Sequence, residues 1–335
     1  MDNISNKVRI ISLPIERNIK LFSDLKALFM LISLFKDNKF SLVHSVNPKT
    51  GLLCAVAAWV TRTPNRIHTF TGQVWATKKG FGRQLLKLLD KLVVTINTEI
   101  LVDSHSQQEF LIKESVLSKN NSTVLGSGSI CGVDTNKFTP SFTNKKMIRN
   151  ELNIGFNDEV ILYVGRLKKE KGVLDLANAF LNIKKTNHNL IMIFVGPDDE
   201  NLKDRLIQML NNYKDSVRFI DFTKNPEHYM MASDILVLPS HREGFGNVVI
   251  EAASTGIPSI VTDIYGLNDT IINGETGLLV DPYNSDSLES AMDKLINNKS
   301  LRIKMGANAR LRASEYFSQE IITTKVISFY KNLLR

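Results

Sequence analysis

Two glutamates and a helix start lie close together in residues 240–256, SHREGFGNVVIEAASTG. The apolar run 235–238 before them predicts a strand, and helical patterning begins near Asn247, a residue type that often caps helix N-termini. Amides at a helix start lack intrahelical partners and, with the helix dipole, favour a phosphate. Because a carboxylate repels phosphate, Glu243 and Glu251 are expected to accept hydrogen bonds from hydroxyls attached to it. This pattern suggests a nucleotide sugar, although the same residue types also suit a helix start for stability alone.

A second loop, GRLKKEKG at residues 165–172, follows another predicted strand. Arg166 can fork to phosphate oxygens, and Lys171 can add a point charge. Both would oppose the charge that develops on a departing diphosphate. Lys168 and Lys169 are interpreted as solvated cations, and a purely solvated basic loop is the alternative for the other two as well.

Strands and helices alternate throughout the chain, which predicts parallel sheets with helical crossovers and an α/β fold. The strands predicted in the first half are 8–13, 40–44, 66–70 and 99–103, and those in the second half are 160–164, 190–195, 217–220, 235–238, 259–262 and 278–280. Helices are predicted between them, including 24–35 and 52–61. We expect two Rossmann-like domains that face each other across a cleft at the carboxyl ends of their strands.

The predicted boundary lies in the polar stretch 141–149, a candidate linker. Residues 1–143 would form the acceptor-side domain. Residues 144–335 would form the domain that binds the nucleotide sugar. The last helix of this domain could pack back onto the acceptor-side domain. No strand with a glycine-rich loop is recognisable ahead of residue 8, so the first domain is expected to lack that usual opening.

Composition indicates a globular protein of the reducing cytoplasm. Two cysteines cannot form a disulfide framework, and Cys54 lies in an apolar run as a small core residue. No stretch has the roughly 18 apolar residues of a membrane span, and the N-terminus has no apolar signal core. The net charge of +8 is concentrated in residues 1–140, which hold 18 basic and 10 acidic residues. This imbalance indicates an anionic partner, meaning membrane lipid, nucleic acid or a phosphorylated substrate.

A basic and aromatic patch in residues 71–94 suits an anionic membrane surface. Its members are Trp75, Lys78, Lys79, Phe81, Arg83, Lys87 and Lys91. The alternative is a solvated basic face over a core made by Leu85, Leu88, Leu89 and Leu92. Nucleic acid would explain the charge but not the loops described above.

Three motifs, VGRLKKEKG, VLPSHREGFGNVVIEAASTGIPSIVTD and NGETGLLVDP, occur in a fixed order between residues 160 and 281. Together they resemble the C-terminal domain of retaining GT-B glycosyltransferases of the family 4 type, with its E-x7-E signature. A looser resemblance covers residues 8–138 through SLVHSVNPKTGL, RIHTFTG and GVDTNKF, the first of which is similar to relatives that build bacterial surface polysaccharides.

The resemblance implies roles for individual residues. Arg166 and Lys171 would hold the donor diphosphate, Glu243 would contact the hydroxyls of the donor sugar, and Glu251 would hold the ribose. The backbone that approaches the diphosphate or sugar would come from Gly165, Phe245, Gly246, Asn247 and Val248. No bound metal is required in this family, which fits the lack of an Asp-x-Asp motif here. The resemblance therefore implies a nucleotide-sugar donor and no bound cofactor. Our hypothesis is that the nucleotide of this donor is UDP.

The acceptor side departs from the family. Many relatives have a His where this chain has Thr71, so Thr71, Gly72 and Gln73 are candidates by position alone. His44 and Lys49 match the surface-polysaccharide pattern, and His68 suits a core position as well as a ligand.

The function implied is transfer of a hexose or N-acetylhexosamine, with retention, to a lipid-diphosphate-linked acceptor in O-antigen or capsule synthesis. The enzyme would be cytoplasmic and peripheral on the inner face of the bacterial plasma membrane, held by Lys78, Lys79, Arg83 and Lys87. Two alternatives remain: a nucleotide-sugar epimerase or hydrolase on the same scaffold, and an inactive donor-binding remnant. A dinucleotide oxidoreductase is disfavoured because no G-x-G-x-x-G follows a strand.

Overall fold

The computed structural model describes residues 8–16 and 20–335. Contacts within the chain divide it into two compact units. Of the described residues, those up to 101 form the first unit together with 114–123 and 333–335, and residues 102–113 and 124–332 form the second. The polar stretch expected to link two domains is an ordered helix, α5 (Phe142–Glu151), whose first turn is capped by the Ser141 hydroxyl, which accepts from the Asn144 amide at 3.2 Å.

The first sheet has four strands in the order β1-β2-β3-β4, and its first two strands are parallel. The strands are β1 (Leu42–Val46), β2 (Asn65–Phe70), β3 (Glu99–Val102) and β4 (Thr123–Val124). The helices in this part of the chain are α1 (Leu21–Asn38), α2 (Pro48–Val60), α3 (Gly80–Ile96) and α4 (His105–Lys113). Leu31 and Phe35 of α1 pack on Ala57 and Ala58 of α2, because the two alanines let the helices approach closely.

The prediction of a strand at residues 8–13 is wrong, since these residues are irregular. Val8 and Ile10 are more than half exposed, and Ile15 turns back to donate its amide to the carbonyl of Leu13. No strand in the described part of the chain pairs with this segment, so its strand-favouring residue types do not form one. Among the described residues, no strand precedes β1.

The second sheet has six parallel strands in the order β10-β9-β8-β5-β6-β7. The strands are β5 (Glu159–Val164), β6 (Leu190–Val195), β7 (Val217–Ile220), β8 (Ile235–Leu238), β9 (Ser259–Thr262) and β10 (Gly277–Val280). Every residue of β6, β8 and β9 is buried, as expected for a parallel sheet with both faces covered. This confirms the predicted second Rossmann-like domain.

The helices of this part of the chain are α6 (Val173–Lys184), α7 (Lys203–Met209), α8 (Pro226–Ala232), α9 (Asn247–Ser254), α10 (Ser285–Ile296), α11 (Lys299–Phe317) and α12 (Gln319–Leu333). β5 and β8 are neighbours in the centre of the sheet. The loops that leave their carboxyl ends therefore lie side by side, and these are the two loops that the sequence singles out for chemistry.

Candidate active site

The turn between β8 and α9 differs from the prediction at one residue. Asn247 is the first helical residue, and the N-cap is Gly246 with φ 36° and ψ 59°. This left-handed backbone and the closeness of the Leu267 side chain leave no room for a Cβ at that position. The Asn247 side chain instead accepts from the Ser129 hydroxyl at 2.9 Å. The N-cap glycine makes no side-chain hydrogen bond to the first turn of α9, and the Val249 amide bonds to the Gly246 carbonyl at 2.8 Å, so the helix start faces the loop with the amides of Asn247 and Val248.

Glu243 lies in the loop that leads into this turn, and its side chain is 17% exposed. Its Oε1 atom accepts from Lys171 Nζ at 2.5 Å and from the Ser240 hydroxyl at 3.1 Å. Neither bond uses Oε2, which can accept hydrogen bonds from the hydroxyls of a ligand. The structure thus brings the predicted sugar-binding carboxylate and one predicted phosphate-binding cation into direct contact.

Arg166 lies elsewhere. Its guanidinium is 3.3 Å from Asp199, which also has the ammonium of Lys168 at 3.6 Å. The interpretation of Lys168 as a solvated cation is therefore wrong, because its side chain is only 16% exposed and pairs with this carboxylate. Lys169 is exposed, as predicted. Arg166 keeps 40% of its side chain exposed and can turn toward a ligand at the cost of one surface ion pair.

Glu251 lies one helical turn into α9 and is half-buried. Burial raises its pKa to about 6, while Lys137 lowers this pKa and the Glu227 carboxylate raises it. Lys137 itself lies 3.3 Å from Glu227, a carboxylate on α8 that is 8% exposed. Glu251 therefore occupies a poorly hydrated position where hydrogen bonds from ligand hydroxyls would stabilise its charged form.

The other residues that were predicted to offer backbone to the donor pack closely against their surroundings. Phe245 is buried, with its ring 5.3 Å from that of Phe317, so the residue anchors the loop in the core. Val248 also packs against the core. A Cβ on Gly165 would lie 2.9 Å from the Tyr163 hydroxyl, which donates to the Arg166 carbonyl at 2.8 Å. These contacts hold the two loops close to the sheet.

Asp103 and Ser104 are features of this region that the sequence interpretation did not identify. Asp103 is buried, and burial, together with the carboxylates of Glu243 and Asp269, raises its pKa well above the usual range. The Ser104 hydroxyl donates to the Gly244 carbonyl at 3.3 Å. The sequence did contain a signal for them, because Asp103 and Ser104 are polar residues that directly follow the apolar end of β3.

The acceptor-side candidates are mostly internal. Gln73 is 1% exposed. His68 is also buried and bonds to the Ser45 hydroxyl at 3.0 Å, and burial with the nearby His44 lowers its pKa to about 4. His44 bonds to the Thr69 hydroxyl at 2.7 Å. His68 therefore matches the core alternative, whereas His44 is half-buried.

Lys49 has a supporting role. Its ammonium lies 2.5 Å from Asp24 and 2.7 Å from the Glu16 carbonyl, which ties the segment before α1 to the start of α2. Thr71 is half-buried and Gly72 is buried.

The basic and aromatic patch is organised differently from both predictions. Trp75 is 1% exposed and donates its indole N–H to Asp90 at 2.6 Å. Arg83 and Lys87 each lie 2.8 Å from Glu114 and stack over this indole. A buried ring and a carboxylate thus hold both cations within the chain, and their contact with lipid stays a prediction.

The leucine core proposed as the alternative is also wrong. Leu85, Leu88 and Leu92 are 46%, 62% and 42% exposed, and Phe81 is 83% exposed. α3 therefore presents an apolar face to solvent, with exposed Lys78 and Lys79 just before its start. Within residues 8–16 and 20–335, no helix has the length and hydropathy to cross a membrane, and no three His, Cys, Asp or Glu side chains are grouped to hold a metal.

Comparison with known proteins agrees with this arrangement. The family profile "Glycosyl transferases group 1" matches residues 144–312, and the "Glycosyl transferase 4-like domain" profile matches residues 4–128. The chain is 36% identical over 324 residues to the capsular polysaccharide biosynthesis glycosyltransferase CapM of Staphylococcus aureus, covering 96% of this chain and 85% of that protein.

A second relative is the UDP-Gal:alpha-D-GlcNAc-diphosphoundecaprenol alpha-1,3-galactosyltransferase of Escherichia coli, 29% identical with 99% and 86% of the two chains covered. The crystal structure of Anabaena HepE in complex with UDP superposes with a TM-score of 0.79 at 19% identity, covering 94% of this chain and 85% of the other. Fold, motifs and relatives agree: the chain belongs to the glycosyl transferases group 1 family and is a glycosyltransferase of the GT-B fold.

Proposed function

We propose that this glycosyltransferase moves a hexose or N-acetylhexosamine, with retention, from a UDP-sugar to a lipid-diphosphate-linked glycan in bacterial capsule or O-antigen synthesis. The contact between Lys171 and Glu243 beside the uncapped start of α9 carries the proposal. It joins a cation for phosphate, a carboxylate for hydroxyls and the positive end of a helix in one place, and a nucleotide sugar can use all three.

The donor diphosphate would lie at the start of α9. The amides of the first turn and the helix dipole favour negative charge there, and Lys171 reaches the same loop. Arg166 would add a forked pair of hydrogen bonds after leaving Asp199. These groups supply positive charge without a metal ion and oppose the charge that grows on the leaving diphosphate.

The two glutamates would bind different parts of the donor. Glu243 would accept from hydroxyls of the sugar through Oε2, and Glu251, further along α9, would accept from the ribose. The name of the Escherichia coli relative specifies a UDP-linked donor, and the HepE structure contains UDP. Both support uridine in the donor proposed here.

In the proposed reaction the acceptor hydroxyl attacks the anomeric carbon on the face that the nucleotide leaves. The bond from that carbon to the β-phosphate oxygen breaks, and a bond to the acceptor oxygen forms. The acceptor proton passes to the departing phosphate oxygen, so UDP and the extended glycan are the products and no protein base is required. The residues of this chain bind, orient and neutralise charge.

The acceptor is proposed to be lipid-linked. The Escherichia coli relative is named for a diphosphoundecaprenol acceptor, and CapM for capsular polysaccharide synthesis. In this chain the exposed apolar face of α3, with Lys78 and Lys79 beside it, would rest on the inner, anionic face of the membrane. Such a peripheral position brings the enzyme to a substrate that cannot leave the bilayer.

A panel of UDP-sugars and prenyl-diphosphate-linked acceptors tests the proposal, with the anomeric configuration of the product read by NMR. We expect transfer with retention that is lost in Glu243→Ala and Arg166→Ala. Lys203→Ala is the matched control, because the Lys203 ammonium pairs with the exposed Asp221 at 3.0 Å, away from the two loops of the site. Full activity in both site variants would overturn the site assignment.

The same panel separates the alternatives. Conversion of the donor without acceptor would show an epimerase or hydrolase. Binding of UDP with no transfer from any donor would show an inactive remnant.

A further inference from the structure

The loop that carries Lys171 and the loop that carries Glu243 are joined by a second ion pair immediately next to the first. Glu170 accepts from Arg242, with Nη2 at 2.9 and 3.1 Å from its two oxygens and Nε at 3.3 Å. Glu170 also supplies its backbone carbonyl to the His241 amide at 2.9 Å. Consecutive residues of one loop thus pair with consecutive residues of the other: 170 with 242, and 171 with 243.

The two pairs have opposite polarity. One loop reads Glu-Lys and the other reads Arg-Glu, so a shift of one residue would place Lys171 against Arg242, and like charges would repel. The pairing therefore fixes the register between the loops. Both side chains of the second pair are mostly covered, at 29% exposed for Glu170 and 20% for Arg242, and the forked geometry restricts their orientation.

Neighbouring contacts leave these loops little room to separate. His241 bonds to Asp175 in the first turn of α6 at 2.8 Å, and its ring lies 3.9 Å from that of Tyr283. Gly172 has φ 68°, and a Cβ there would collide with the Pro239 carbonyl. The pKa of Glu170 is lowered because Arg242, Lys171 and Lys168 outweigh the effect of its partial burial, so the carboxylate stays charged.

We infer that Glu170 and Arg242 are positioning residues for transfer: their ion pair holds Lys171 and Glu243 at a fixed separation while the donor is bound. This inference rests on the proposed function. When a diphosphate takes Lys171 as its partner, the contact between Lys171 and Glu243 weakens. The adjacent ion pair is then the side-chain contact that, together with the backbone bond from the His241 amide to the Glu170 carbonyl, holds the loops in register. Neither Glu170 nor Arg242 needs to touch the donor for this role.

The role predicts a specific kinetic signature. Each ligand residue can still find its own part of the donor in the ground state, but the transition state needs both at once. Glu170→Gln should therefore lower kcat by about tenfold or more, because a small misplacement of Lys171 relative to Glu243 weakens binding of the transition state. The KM for the donor should change little. Arg242→Gln should do the same, and the double variant should fall no further than either single variant, because all three lose the same interaction.

Glu200→Gln is the matched control. Glu200 accepts from the Lys169 amide at 3.1 Å, so it bonds to the same loop but not to the loop that carries Glu243. We expect wild-type kinetics and thermal stability in this variant. If the wild type is active and Glu170→Gln behaves like Glu200→Gln, or if the effects of Glu170→Gln and Arg242→Gln multiply, the inference is wrong.

Hydrogen–deuterium exchange gives a readout that does not depend on turnover. The His241 amide bonds to the backbone carbonyl of residue 170, which Glu170→Gln keeps, so faster exchange reports separation of the two loops. Exchange in residues 240–246 should therefore accelerate in Glu170→Gln, which lacks the ion pair, and not in Glu200→Gln. Unchanged exchange would overturn the inference even in an enzyme whose donor or acceptor differs from the proposal. Absence of any transfer by the wild type, with accelerated exchange in Glu170→Gln, would instead overturn the proposed function and leave the loop pairing supported.

Discussion

Lys171 Nζ lies 2.5 Å from Glu243 Oε1, so two of the predicted ligand residues form an ion pair with each other. The side chains are only 14% and 17% exposed, which strengthens their attraction relative to a surface pair. A donor must replace this contact, because its diphosphate takes Lys171 and its sugar hydroxyls take Glu243. Both residues are therefore expected to bind a complete donor. UDP alone offers a partner to Lys171 but none to Glu243, which instead competes with UDP for Lys171.

Glu243→Gln should separate binding of the nucleotide from transfer of the sugar. UDP lacks the transferred sugar that Glu243 would bind. The substitution also removes the carboxylate that pairs with Lys171, so Lys171 is available to the diphosphate. We expect UDP to bind at least as tightly as to the wild type, measured by calorimetry, while transfer is lost. Lys171→Gln should weaken UDP binding by about tenfold or more, the value of a charge-assisted hydrogen bond. Weaker UDP binding to Glu243→Gln would contradict the assigned roles.

The proposed ribose contact predicts a pH dependence. Glu251 has a pKa of about 6 in the free protein because burial disfavours its charged form. If ribose hydroxyls donate to the carboxylate, binding favours the charged form, so UDP affinity should rise with pH up to about 6 and level off above about 7. Calorimetry between pH 5 and 8 measures this profile.

A nucleotide without the 2′-hydroxyl provides the control for this prediction. Wild type should prefer UDP over 2′-deoxy-UDP, whereas Glu251→Gln should bind UDP more weakly, discriminate less and lose the pH step. The same pH step in Glu251→Gln would assign the titration to another group.

The second Rossmann-like sheet could be predicted from the sequence because its central strands are mostly buried and read as apolar runs, such as β6 and β8, in which every residue is buried. The first strand predicted, at residues 8–13, failed for the converse reason. The segment is also rich in apolar residues, but a strand forms only where a neighbouring strand pairs with it. The local sequence does not show whether such a neighbouring strand exists. The start of α2 at Pro48 was missed because a proline at the first helical position resembles a turn.

Loop positions at the candidate site were predictable, but side-chain pairings were not. The order of strands placed the Arg166 and Glu243 loops side by side, and that followed from their carboxyl-end positions. Nothing in the sequence says that Lys171 pairs with Glu243 while Arg166 pairs with Asp199, since these choices depend on distances of a few ångströms. The burial of Trp75 was equally invisible, because its partner Asp90 lies 15 residues away.

Asp90→Asn should stabilise the protein at neutral pH. Burial raises the pKa of Asp90 to about 6, although the hydrogen bond from Trp75 lowers it. A carboxyl whose pKa is higher in the folded than in the unfolded state loses stability as pH rises from about 4 to about 6. Asn keeps an oxygen for the indole without the charge, so the melting temperature at pH 7.5 should rise by several degrees.

This gain should shrink at pH 5, where Asp90 is mostly protonated. Asp221→Asn is the control, because that side chain is 83% exposed and should change little at either pH. An equal gain at both pH values would show that ionisation of Asp90 is not its source.

Membrane binding should depend on the leucines of α3 and on Lys78 and Lys79 rather than on the paired cations. In co-sedimentation with vesicles of phosphatidylcholine and phosphatidylglycerol, Leu88→Ser should reduce the bound fraction. Ile303→Ser, at 63% exposed against 62% for Leu88, is the matched control on another helix and should bind as the wild type does. Lys78→Gln with Lys79→Gln should weaken binding by about tenfold or more at low salt, at about 1 kcal/mol per cation.

Arg83→Gln provides the contrast, because it removes a contact to Glu114 and a cation over Trp75. It should lower the melting temperature more than Lys78→Gln does, and at equal folded concentration it should bind vesicles nearly as well as the wild type. Loss of recruitment in Arg83→Gln with unchanged stability would show that this guanidinium leaves its partners to reach lipid. Recruitment that is unaffected in Leu88→Ser and in the double lysine variant would leave the exposed face of α3 without a role at the membrane.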